Sequence, residues 1–209
     1  VNELDETRRD AIIELINISF GRAMADLADW LRLHLKLSVP NVHLIENRNV
    51  VDLLMMFYRG HPCRQMLQSF RGRHFFGEAL FVVPTDLSTQ LVSVLEDNSA
   101  FWVEMEREKL EYEILLEVGN IVVGACLGKL ADLLKVHLSF TPPHLLDLQT
   151  NRWVQRAGKV MIVDTSFRVA DQRVTGHLFL FFPAPCLGWL MKAIDDFVGS
   201  VTEKGTGRQ

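Results

Sequence analysis

A chain that repeats itself is not free to fold in just any way, because whatever its first half does its second half must do beside it. Residues 17–40, NISFGRAMADLADWLRLHLKLSVP, align without a gap on residues 120–143, NIVVGACLGKLADLLKVHLSFTPP, and ten of these 24 positions are identical. A later stretch repeats at a slightly shorter interval, with GEALFVVP at 77–84 lying over GHLFLFFP at 176–183. Two copies of one unit therefore make up most of the 209 residues, and each copy can bury its apolar face against its twin. The expected fold class is α+β. We expect one internally duplicated, pseudo-two-fold domain over 1–199, with repeats at about 5–95 and 100–198, one β-sheet of about six strands, and two long helices packed side by side. Residues 200–209 read as a disordered tail.

Each copy opens on helical periodicity. Ile13, Ile16, Phe20, Leu27 and Leu31 recur at three, four and seven residues, a core-facing stripe on a helix expected from about Asp5 to Leu37. The second helix is expected to begin behind the polar break EDNS, with Ser99 as its N-cap, and to run to about Leu138. Pro40 and Pro143 mark the exits from the helices. Short strands follow at HLIE and HLLDLQ. CRQMLQSF and HFFGEALFVVP then form a hairpin around RGR, and KVMIVDTSFRV and VTGHLFLFFP form its twin around ADQR. NVVDLLMMFYRG has helical character, and each copy closes on a short helix, at 85–95 and 184–198.

Within the helices an acidic residue and an amide sit three apart in otherwise apolar runs, as ELINISFG and again as EVGNIVVG. At about 100° per residue, Asp10, Glu14, Asn17 and Gly21 fall on one strip roughly a quarter turn from the core stripe. Glu113, Glu117, Asn120 and Gly124 do the same on the second helix. A carboxylate pairs with a cation, while a carboxamide both donates and accepts hydrogen bonds. Together they can grip a positive group and align a water. A glycine one turn beyond the Asn costs a helix about 1 kcal/mol relative to Ala and clears room for another surface. A single such pair is common on helices; its recurrence in both copies is what marks these positions.

Other chemistries find little support. A net charge of −4 supplies no basic field for nucleic acid. The most apolar run, LFLFFPAPCLGWLM, is too short to span a bilayer and is broken by Pro183 and Pro185. Cys63, Cys126 and Cys186 are widely separated and form no C-x-x-C, which favours a reducing, cytoplasmic setting. His34 and His137 match in the duplication and read as residues of the last helical turn, favoured by the helix dipole, rather than as metal ligands. GHPC with His74 lacks the orienting context of a nucleophile. No glycine pattern suits a nucleotide, and EMEREKLEYE reads as a solvated helix face.

Both copies resemble the signature of the bacterial CheC/CheX/FliY chemotaxis phosphatases. That signature is Asp or Ser, Glu four residues on, Asn three further, and Pro after another 22 residues. Asp10, Glu14, Asn17 and Pro40 match it, as do Glu113, Glu117, Asn120 and Pro143, with Glu113 standing where Asp or Ser is expected. Two signatures in one chain resemble the CheC type. The resemblance implies hydrolysis of the phospho-aspartate of a CheY-type response regulator. Asn17 and Asn120 would orient the water, and Glu14 and Glu117 would pair with the regulator's lysine. It implies no cofactor on this chain, with Mg²⁺ carried by the regulator. It further implies a monomer, and CheD as a second partner through CLGWLMKAIDDFV; charge and hydropathy lead us to expect no nucleic-acid or membrane partner. The alternative is a non-catalytic adaptor that binds the regulator or CheD through the same surfaces.

Overall fold

Two long hairpins make the centre of the molecule. In the computed structural model, which describes residues 5–31, 35–57, 62–86, 107–146, 158–169 and 175–206, β3 (Cys63–Arg71) pairs with β4 (Phe76–Pro84), and β7 (Lys159–Val169) with β8 (Thr175–Pro183). Their residues alternate between two apolar faces, and the hairpins join through an antiparallel β4–β8 ladder. In that ladder Leu80 faces Phe179, its own counterpart in the repeat. Glu78 likewise faces Phe181 while Val82 faces His177. A pseudo-two-fold axis therefore passes through the Leu80–Phe179 pair.

The short strands cross between copies. β1 (Leu35–Leu37) and β2 (Asn41–Glu46), from the first copy, pair with β7 of the second; β5 (Ser139–Phe140) and β6 (His144–Leu145), from the second, pair with β3 of the first. The six-position order is β1-β7-β8-β4-β3-β5, with β2 also on β7 and β6 also on β3. The equivalence extends to single hydrogen bonds. Ser38 N donates to Ser166 O at 2.8 Å, and Thr141 N donates to Ser69 O at 3.0 Å. These crossings fix a spatial correspondence that the sequence match at 77–84 does not reach: Phe70 on Phe167, Met66 on Val163, and Gln68 on Thr165.

The helices divide the sheet's two faces. On one face, α1 (Glu6–Leu31), α3 (Arg107–Leu134) and α4 (Ala184–Thr206) bury Leu15, Phe20, Val122, Leu127 and Leu190 against Met66, Phe81 and Val163. α1 and α3 lie side by side, and α3 rests on β3. Arg8 of α1 grips Asp195 of α4 through Nε at 3.2 Å and a terminal nitrogen at 3.0 Å. On the opposite face, α2 (Val50–Phe57) sets Val50 and Leu54 over Leu80, Ile162 and Phe179. α3 is long and apolar enough to cross a membrane, but more than half of its apolar window is buried inside the fold, as befits a core helix.

Several expectations need correction. Neither long helix runs as far as its periodicity suggests. α1 does not extend to Leu37, because Leu35–Leu37 take ladder bonds to Phe167–Val169 that a continuing helix would forfeit. α3 stops at Leu134, because Lys135 turns left-handed at φ 55°. Lys135 N then bonds Asp132 O and Val136 N bonds Ala131 O, the paired closure of a Schellman cap. His137 consequently lies beyond the helix rather than in its last turn. Pro40 and Pro143 stand in the corners between β1 and β2 and between β5 and β6. At the far end, α4 continues to Thr206, so most of the supposed tail is helical: VTEK carries no proline, and nothing stops the helix. Glu111, in the run read as solvated, is 9% exposed, and Arg64 reaches it at 3.5 Å. Ser99, His34, ADQR, residues 87–95 of the first closing helix, and the Leu27 and Leu31 side chains lie outside the described residues.

A lysine at a left-handed position bears a steric cost that glycine avoids. Lys135→Gly is expected to stabilise the protein by about 1 kcal/mol. A urea titration should show a higher midpoint with an unchanged slope.

Candidate functional site: two polar strips on the paired helices

The strips lie where the periodicity puts them. On α1, Asp10, Glu14, Asn17 and Gly21 are all exposed, while Ile12, Leu15, Ile16, Ser19 and Phe20 between them are buried. On α3, Glu113, Glu117 and Asn120 are exposed and Gly124 is partly so, alternating with buried Ile114, Leu115, Val118 and Val122. The core stripe thus holds each helix by one side and leaves the carboxylate and the carboxamide facing out. Pro40 is buried and Pro143 half-buried. They belong to the strand crossings and not to the strips.

The glycines separate into two kinds. Among the described residues, a methyl group built on Gly21 or Gly124 would meet nothing within 4 Å, so no packing among them requires either residue. Gly119, one residue before Asn120, is different: its added carbon would collide with Met66 Cε and come within 3.1 Å of Phe81. That glycine lets α3 settle onto the sheet. Gly21 and Gly124 instead leave each strip flat beside its Asn.

The two asparagines differ in their surroundings. Among the described residues Asn17 has no hydrogen-bond partner, whereas Asn120 Oδ1 accepts a hydrogen bond from Gln68 Nε2 at 2.8 Å. Gln68 comes from β3 beneath the helix and is 2% exposed. Sequence reasoning missed it. The signal was there in the alternation Met66, Gln68, Phe70, which places an amide at a core-facing position of a strand.

Neither a metal cluster nor the cysteines offer a competing reaction centre among the described residues. No group of three or more His, Cys, Asp or Glu is arranged to hold a metal ion. Burial raises the Cys63 thiol and pushes Cys186 up to about 11, which makes both poor nucleophiles at neutral pH. Cys126, wholly buried, is raised further still. A cleft lined by Ser69, Arg71, Glu78, Thr141 and Lys159 contains no member of either strip.

Comparison with known proteins agrees with this architecture. No family model matches the chain. The chain is 26% identical to the CheY-P phosphatase CheC of Bacillus subtilis over 192 residues, covering 86% of this chain and 90% of that one. FliY of Thermotoga maritima has the same fold, with a TM-score of 0.67 at 18% identity over 94% of this chain and 98% of that one. CheX of Borrelia burgdorferi, solved in a complex with CheY, BeF3 and Mg²⁺, superposes with a TM-score of 0.51 at 16% identity, over 81% of this chain and 96% of that one. Middle domains of FliM share the fold as well. By fold and by sequence, then, the chain is similar to the CheC, CheX and FliY chemotaxis proteins. Its sequence is similar to that of CheC nearly end to end.

Because Gly21 and Gly124 have open space where a methyl would go, replacing either by Ala should strengthen its helix. Each substitution is expected to add about 0.5–1 kcal/mol of stability, read from thermal or urea unfolding. Gly119→Ala, by contrast, should destabilise, since Met66 and Phe81 would have to shift.

Proposed function

We infer that this protein hydrolyses the phospho-aspartate of a CheY-type response regulator, using the two exposed strips as separate sites. The observation that carries this reading is the pair of outward-facing Glu/Asn sets, Glu14 with Asn17 and Glu117 with Asn120, in a chain similar to CheC over nearly its whole length. An acyl phosphate is labile, so little is asked of the catalyst beyond placing a water opposite the leaving carboxylate. Asn17 or Asn120 holds that water by its carboxamide. The water oxygen bonds to phosphorus as the bond to the aspartyl oxygen breaks, and the water proton leaves with inorganic phosphate. Glu14 and Glu117 pair with the regulator's lysine and fix the approach. The regulator supplies Mg²⁺ as its own ion. The flat patches at Gly21 and Gly124 admit the regulator's surface.

The test is the rate of phosphate loss from a phosphorylated regulator, with docking measured in parallel. Wild type should accelerate it. Asn17→Ala and Asn120→Ala should each retain part of the rate, and the double variant should lose about a hundredfold while still binding. Gly21→Ala and Gly124→Ala, stabilising in themselves, should weaken docking. A wild-type protein that binds the regulator without accelerating hydrolysis would instead be an adaptor, the reading favoured by the likeness to FliM domains.

A further inference from the structure

The two strips are matched in sequence but not in what lies beneath them. Gln68 and Thr165 occupy equivalent positions of β3 and β7, both 2% exposed, and both reach the equivalent carbonyl of the crossing corner. Thr165 Oγ1 donates to Ser38 O at 3.1 Å, and Gln68 Nε2 donates to Thr141 O at 3.0 Å. A threonine hydroxyl has one proton, and here it is spent on that carbonyl. A glutamine amide has two. The second, in the longer side chain, goes to Asn120 Oδ1 at 2.8 Å. Asn17, in the first strip, has no such bond among the described residues.

This network fixes which way each amide points. The atom of Gln68 that faces the Thr141 carbonyl must be its nitrogen, since two oxygens would repel. The same nitrogen faces Asn120, so Asn120 must turn its oxygen inward and its Nδ2 outward. Gln68 Oε1, meanwhile, is buried with no partner among the described residues. An unpartnered buried carbonyl works against stability, and the twin position shows that a residue without one fits there. Fold stability alone does not account for the glutamine.

We propose that Gln68 is a positioning residue for the second strip: it holds Asn120 in one rotamer with Nδ2 presented outward as a hydrogen-bond donor, while Asn17 stays free to turn either edge. This rests on the phosphatase reading above and deepens it. The second site is pre-ordered to donate to the attacking water or to a phosphoryl oxygen, and the first must be ordered by the regulator as it docks.

Two measurements test this. In the free protein, the side-chain amide resonances of Gln68 should shift on Asn120→Ala and not on Asn17→Ala; no shift with either overturns the clamp whatever the assays show. For turnover, Gln68→Thr copies the first strip and keeps the carbonyl bond, and Gln68→Met preserves size without hydrogen bonding. In the Asn17→Ala background, where only the second strip works, each should lower kcat about three- to tenfold, the factor expected from freeing one side chain among a few rotamers, with KM within about twofold. The same changes in the Asn120→Ala background should have an effect at least about threefold smaller, since Gln68 couples to Asn120 and not to Asn17. Equal effects in both backgrounds, or none in the Asn17→Ala background while wild type accelerates, overturn the positioning role alone. A wild type that does not accelerate overturns the phosphatase reading and this inference with it.

Discussion

The antiparallel ladder between β4 and β8 is the contact on which everything else in this protein depends. It joins two hairpins of the same design, and its registration places Leu80 on Phe179 at the pseudo-axis. A one-residue slip of β4 would turn Phe81 from the helix face to the α2 face and set Leu80 against the helices instead. With that ladder in place, the crossing strands have only one edge each to fill. β1 and β2 find β7, and β5 and β6 find β3, so neither copy completes a sheet from its own residues.

The crossings also decide where the helices lie. Because β5 and β6 edge the first copy's hairpin, α3 is delivered onto β3, which comes from the other half of the chain. The core stripe then holds α3 by Leu115, Val122 and Leu127. What remains on its free side is the strip with Glu117 and Asn120. Gly119 is the residue that permits this seating, for a methyl there would press on Met66 and Phe81. Exposure of the strip and burial of its neighbours are thus one geometric fact: the helix is held close by one side and left open on the other.

Much of this was legible in the sequence. The repeat fixed two copies of a helix and a hairpin, and the period of 3.6 residues placed Glu14, Asn17, Glu117 and Asn120 on outward strips, as the structure has them. The helix ends were not legible, because LRLHLKL and LLKVHL continue a helical pattern while Leu35–Leu37 are needed as a strand and Lys135 turns left-handed. Propensity yields there to partners far along the chain. Nor could the sequence show that short strands cross between copies, since pairing choice is a long-range matter with no local signature. Gln68 was missed for a related reason: its meaning comes from Asn120 and Thr141, which sit on elements distant from it in sequence.

The crossing has one more consequence. A helix from one half stands on a strand from the other, so the side chain lying under Asn120 is encoded in the opposite repeat. In an assembly of two identical subunits, symmetry would force the same residue under both asparagines. Fusion into one polypeptide lifts that constraint, and Gln68 opposite Thr165 shows the chain using the licence. Here concatenation is what allows twin halves to take up different labours.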